Sequence, residues 1–364
     1  MRLHPEELAA AQAYQQAHDD FEGLTPEQAR RILDRGRCLY KWMKQHHAIH
    51  NAINLGVLIF LFAADWFALA SVPAMFAAPI FAAVLAGAIH SYLMYSLSVF
   101  SLHEGAAHGI IFLGEGRLVS AARWLSGQLC RVADSEPEQY AEGHRTHHAK
   151  FGTHDDAEFT SFVGAGRFWR ALRPFGAFLN HSDFLVHRPL GLTRSRLVSA
   201  FIAATYQLGC AVFAQTQYGW ATALIMFVLV APHFGFYLDR LRQFTEHNLL
   251  PSTHRDGSRN FGVGFWGLLV GGGPWGTPCH WSHHLVASIP WYQQIVLHFY
   301  IKGLLTCAQR KQLLIEPVIG FPLLWWRLVR ETRLLEPARA TQVRGDVSHG
   351  IQPEAVLRIL QVSH

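Results

Sequence analysis

Two stretches of this chain, residues 66–103 and 197–238, contain no Asp, Glu, Lys or Arg. A helix needs about 20 apolar residues to cross the hydrocarbon core of a bilayer. Each stretch suits two crossings joined by a turn, the first also using apolar residues upstream of Asp65. The pattern predicts transmembrane helices over residues 47–70, 77–101, 197–216 and 220–238. Pro73 and Pro79 fall in the first turn, and Thr216, Gln217, Tyr218 and Gly219 form the second. The basic residues set the orientation. Residues 1–46 carry seven Lys or Arg, residues 102–196 eleven and residues 239–364 thirteen, while neither turn carries one. By the positive-inside rule, both termini and the long central loop are cytoplasmic. The net charge of +5 is therefore topological first, and only secondarily a docking surface for an acidic partner.

The expected architecture is an all-α integral membrane protein. Four transmembrane helices form two hairpins, and a helical cytoplasmic cap carries the polar chemistry. It divides into a cytoplasmic helical segment at 1–46, a membrane domain at 47–305 and a cytoplasmic or interfacial segment at 306–364. Thr25-Pro26-Glu27-Gln28 reads as a helix start, with a hydroxyl at the N-cap and Pro at the first helical position, and not as part of a signal peptide. Residues 161–180 interleave Arg167, Arg170 and Arg173 with aromatics, as on a helix lying in the headgroup plane. Residues 313–335 read the same way, and Glu316, Pro317 and Pro322 argue against a fifth span. Asp65, His90 and His233 fall in or near the spans and are expected to face other helices or water. A charged fraction of 16%, against about 25% in ordinary soluble domains, excludes a disordered chain. The five Cys are scattered without paired spacing, which excludes a disulfide framework and a Cys-based metal site.

Histidine is in excess, at 23 of 364 residues. Three clusters stand out, all on the side expected to be cytoplasmic. They are His103-Glu-Gly-Ala-Ala-His108, His144-Arg-Thr-His147-His148 and His280-Trp-Ser-His283-His284. On a helix, positions i, i+3 and i+4 share one face, so each HxxHH presents three imidazoles together, as metal ligands must. Positions i and i+5 lie about 140° apart, so His103 and His108 diverge; they serve different metals or flank one cavity. At this composition one HxxHH is expected by chance at roughly 0.1 per chain, and two far more rarely. Buried imidazoles without a metal would each need hydrogen-bond partners. Eight imidazoles exceed one tetrahedral zinc site and match two metals with about four nitrogens each. Imidazole suits Fe, Zn, Cu and Ni, so the ligands alone do not select the metal. Gly271-Gly272-Gly273 lacks the Lys-Ser/Thr of a phosphate loop and reads as a flexible approach to the third cluster. Cys279 reads as a packed small residue.

The three clusters and their placement between the spans resemble the membrane fatty acid desaturase/hydroxylase superfamily, marked by HxxxxH, HxxHH and HxxHH boxes. Further similarities are His103-Glu104-Gly105, His108-Gly109, Asp155-Asp156 after the second box, Glu246-His247, and Pro290-Trp291-Tyr292 after the third. The likeness covers roughly residues 45–305. It implies a non-haem di-iron centre on His103, His108, His144, His147, His148, His247, His280, His283 and His284. It places Gln243 near a metal-bound water, and makes Glu104, Asp155, Asp156 and Glu246 candidates to hold imidazole N–H groups. The implied activity is O2-dependent introduction of a double bond into a fatty acyl chain. Hydroxylation, ketolation or acetylenation of a lipid, alkane or carotenoid chain is an alternative. A non-enzymatic metal-binding or transport protein is more remote, since transport ligands belong along the spans. The chain has no evident redox-cofactor motif of its own, so a separate ferredoxin or cytochrome-type donor is implied. Arg outnumbers Lys 26 to 5, which points to a GC-rich bacterial genome and the inner membrane.

Overall fold

The computed structural model describes residues 21–133, 135–151, 194–247, 250, 255–315 and 320–334. Among these the fold is all helical, with one isolated bridge between Asn260 and Leu314 and no strand. Helix α1 spans Pro26–Gln45, and the expected start holds. Thr25 accepts from the Gln28 backbone while the Gln28 side chain returns to the Thr25 N–H, a capping box with Pro26 at the first position. At Gly36 the helix closely approaches the loop after the third histidine box. A Cβ at Gly36 would lie 2.7 Å from Val286, so only glycine fits there.

Four helices are long and apolar enough to cross a membrane: α2 at His47–Met75, α3 at Pro79–Ala107, α6 within Arg194–Tyr218 and α7 at Trp220–His247. Two helices between the hairpins, α4 at Arg117–Val132 and α5 at Pro137–Lys150, lie at the histidine-bearing end. Pro73 sits inside α2 and not in the turn, which begins at Phe76. Lacking an N–H, Pro73 leaves the Leu69 carbonyl without its ladder bond. The second turn contracts to Gly219, whose φ of +85° is the left-handed conformation glycine tolerates.

Span α3 is the central one, with Leu97, Phe100 and Ala83 fully buried. Spans α2 and α6 turn Phe60, Phe67, Phe201 and Leu208 outward, as lipid-facing surfaces should. Span α7 meets α3 at glycines: a Cβ at Gly87 would lie 3.0 Å from the Met226 backbone, and one at Gly235 2.9 Å from Ser91 O. Asp65 and His90 do face other helices. The His90 Nδ1 lies 2.7 Å from Asp65 Oδ1, Tyr206 donates to Asp65 Oδ2 at 2.7 Å, and Gln207 Oε1 is 3.0 Å from His90 Nε2. His233 stacks on Tyr237.

Helices α3 and α7 exceed the expected spans. At 1.5 Å per residue, the 29 residues of α3 reach about 43 Å, against a hydrocarbon core of about 30 Å. The surplus carries His103 and His247 past the core on rigid rods. Beyond α7 lie α8 (Phe265–Val270), α9 (His280–Leu285), α10 (Trp291–Leu304), α11 (Cys307–Leu313) and α12 (Gly320–Leu334). Among the described residues α12 runs for 15 residues, and it buries Leu328 and Val329 against Phe244. The segment 161–180 lies outside the described residues.

Candidate metal centre

The helix of the first histidine box changes type. Ser101–Ala107 is a π turn, closed by the His108 N–H donating to His103 O at 3.2 Å. A π turn bonds i to i+5, so it sets His108 above His103 instead of about 140° away. The two rings lie 5.0 Å apart. The divergence expected of an α-helix is thus removed by one wide turn.

The second box rides on α5 and the third on α9. Both present their histidines on one face, and each box is shared between two groups. His103, His108, His144 and His283 converge within 4.8 Å of one another, as do His147, His247, His280 and His284. The second group is fully buried, whereas His108 in the first is half-buried. His148 stands between them, its Nε2 3.1 Å from His144 Nε2 and 2.9 Å from His283 Nε2, and its ring 4.8 Å from that of His284.

These separations test whether metals fit. The Nε2 atoms of His108 and His144 lie 3.0 Å apart, those of His247 and His280 3.1 Å, and those of His280 and His284 3.0 Å. Metal–nitrogen bonds of about 2.0–2.1 Å give polyhedron edges of about 3.0–3.4 Å. The His103 Nε2 is buried with no hydrogen-bond partner, an atom left for an electron-pair acceptor. Burial first, then neighbouring imidazoles, hold the pKa of His280, His283 and His284 well below the ordinary value. For His108, burial and the adjacent His144 push it down to about 3. The imidazoles are therefore neutral, the form that ligates metal.

The carboxylates divide. Glu104 is buried, with Oε1 3.1 Å from His103 Nδ1 and Oε2 accepting the Trp291 N–H at 3.2 Å. As a carboxylate it would accept a proton held on Nδ1 and leave Nε2 to face the group. Glu246 is ion-paired with Arg242 at 2.8 Å, and its Oε2 lies 3.7 Å from His280 Nε2, beside the second group. Gln243 donates to Asp239 and accepts from Arg240. Asp155 and Asp156 lie outside the described residues. Cys279 is buried and belongs to neither group; burial pushes its thiol up to about 12, so it stays protonated.

The glycine-rich approach to the third box has no room for side chains. Gly272 and Gly273 hold φ of +75° and +87°, and a Cβ at Gly276 would lie 1.9 Å from Gly271 O. The loop is folded too tightly for side chains. The segment at 255–262 gave no signal in the sequence, yet it contacts both His247 and the third box. Gly257 O and Ser258 Oγ lie 3.0 and 3.1 Å from His247 Nδ1, and Trp281 donates to Arg255 O at 2.7 Å.

Residues 77–312 match the family model described as Fatty acid desaturase. The match covers more than half of the chain, which belongs to this family. No curated protein matches the sequence. The fold and the family together define a membrane protein of the lipid desaturase/hydroxylase type, an oxidoreductase.

Proposed function

We propose that the protein is an O2-dependent, non-haem di-iron oxidoreductase that introduces a double bond into a fatty acyl chain. The observation that carries this reading is the convergence of two buried groups of four histidines at the ends of apolar helices. His103, His108, His144 and His283 would hold one ion, and His147, His247, His280 and His284 the other, with His148 between them. Bound iron would supply the reductive activation of O2 needed to take hydrogen from an unactivated methylene, which no side-chain acid or base can do.

The remaining work falls to the chain. Glu104 holds the His103 Nδ1 proton, and Gly257 O and Ser258 orient His247. Burial keeps the imidazoles neutral and excludes bulk water. The surplus length of α3 and α7 fixes ligands at the membrane edge, where a chain rising from the lipid can be presented to them. Electrons come from a separate ferredoxin or cytochrome-type donor, docking on cytoplasmic basic residues of a protein in a bacterial inner membrane.

The test is to supply membranes containing the protein with a saturated acyl substrate, O2 and a reducing system. A product lighter by two hydrogens is expected. A product heavier by one oxygen would transfer the assignment to a hydroxylase. Iron near two per chain is expected, and zinc or copper in variable amounts would favour a metal-handling protein.

A further inference from the structure

We propose that Asn260 is a positioning residue for the second metal group, acting by clamping the third histidine box in place. This inference rests on the two-metal reading above. Helix α9 carries three of the nine histidines but has only six residues, and its N-cap, Cys279, makes no side-chain cap. So short a helix is marginal by itself, and its first N–H groups have no acceptors within it. Its geometry must be imposed from outside.

Asn260 does this from 22 residues away. Its Oδ1 accepts the Ser282 N–H at 3.1 Å, one of those orphan donors, and its Nδ2 donates to Ser282 Oγ at 2.8 Å. The amide orientation is decided by chemistry: a backbone N–H can only donate, so Oδ1 must face it. The Nδ2 then also reaches His298 Nδ1 at 3.0 Å. Burial holds the His298 pKa down at about 4, so that ring is neutral and able to accept. Ser282 lies between His280 and His283, so the clamp grips the box at its centre.

Asn260 is itself anchored. Its N–H donates to Leu313 O at 3.0 Å and its carbonyl accepts from the Ile315 N–H at 2.9 Å. The side chain is fully buried. The same segment supplies Gly257 O and Ser258 Oγ to His247, while the Arg259 N–H donates to Glu246 O at 3.0 Å. One segment therefore orients His280, His284 and His247, three of the four ligands of the second group. The first group draws only His283 from α9. Loss of the clamp should empty the second group before the first.

The experiment compares the purified wild type with Asn260→Ala, Asn260→Asp and Ser282→Ala, each reconstituted with ferrous iron. The readouts are iron per chain, the Mössbauer spectrum, the rate of iron loss to a chelator and the thermal midpoint. Wild type is expected to hold two ions. Asn260→Ala is expected to fall to about one, keeping a single iron environment. Asn260→Asp retains an acceptor for the Ser282 N–H and should restore two. Ser282→Ala keeps the N–H and should hold two ions, with the second lost to chelator several-fold faster. Should Asn260→Ala fail to fold, Asn260→Asp and Ser282→Ala still decide. Two ions in Asn260→Ala with wild-type chelator kinetics, or equal loss of both ions from a folded variant, overturns the clamp alone. Loss of the second ion in Asn260→Asp, or wild-type kinetics in Ser282→Ala, does the same. Fewer than two ions in the wild type overturns the two-metal reading together with the clamp.

Discussion

The two histidine groups have the same composition but differ in how they are held and how they meet the outside. The first is assembled from four places: a π turn, the residue that ends it, α5 and α9. His108 lines a cleft of about 370 Å³ together with Tyr40, Met43, Lys44, Leu113 and Ser288. The second group is buried throughout and bracketed by residues 255–262. One group is thus reachable and the other braced. In the proposed reaction, which would have to admit substrate and electrons yet keep its ligands fixed, the two demands would fall on different halves of the site.

The largest expected effect tests whether both halves are needed. His283→Ala and His147→Ala each remove a ligand from a different group. Each should lower activity by roughly 100-fold or more, since outer partners alone cost 10–100-fold. His46, whose Nδ1 lies 2.8 Å from the Trp42 carbonyl oxygen and whose ring stacks on the Trp42 indole, supplies the control. His46→Ala should stay within about twofold of wild type. Product formation and iron content are measured in membranes from matched expressions. Full activity in either box variant would dissolve the two-group assignment.

Acid should separate the metal-free protein from the loaded one. The His108 pKa lies at about 3 in the fold, against about 6.5 in an unfolded chain. Between those values the unfolded state binds more protons, so stability is full above about pH 6.5 and falls as pH drops towards 3. His280, His283 and His284 are shifted in the same direction and add to the slope. Metal-free protein in detergent should therefore melt at a lower temperature at pH 5 than at pH 7.5. The loaded protein should change less, because bound metal competes with protons for the same nitrogens. A pH-independent midpoint without metal would mean that the imidazoles are not buried as described.

Much of this was legible in the sequence, and the reasons are physical. Charge-free runs must span, so the four membrane helices announced themselves through residues 66–103 and 197–238. Helical spacing put each HxxHH on one face. The first box was harder, because the 100° step of an α-helix separates His103 from His108, and no residue signals the π turn that reunites them. Pairing between boxes was also hidden: His144 and His147 share a face of α5 yet belong to different groups, which only the arrangement of the three boxes in space decides. Asn260 and Ser258 left no trace, since a residue that orients ligands through space has no fixed sequence offset from them.

The smallest expected effect probes the difference between the groups most finely. Glu104 belongs to the first group alone, with one oxygen on His103 Nδ1 and the other accepting the Trp291 N–H. Glutamine keeps its shape but offers only one oxygen. If that oxygen stays with His103, the amide nitrogen faces the Trp291 N–H, donor against donor. If it turns, His103 loses the partner that holds its tautomer. Either way the first ion should bind more weakly, near the lower end of the 10–100-fold range seen for such partners. The second ion, held by His147, His247, His280 and His284, should be unchanged. Competitive titration with a chelator of known affinity resolves the two ions in Glu104→Gln. Weakening of both ions alike would mean the groups act as one unit, and weakening of the second alone would reverse the assignment of Glu104.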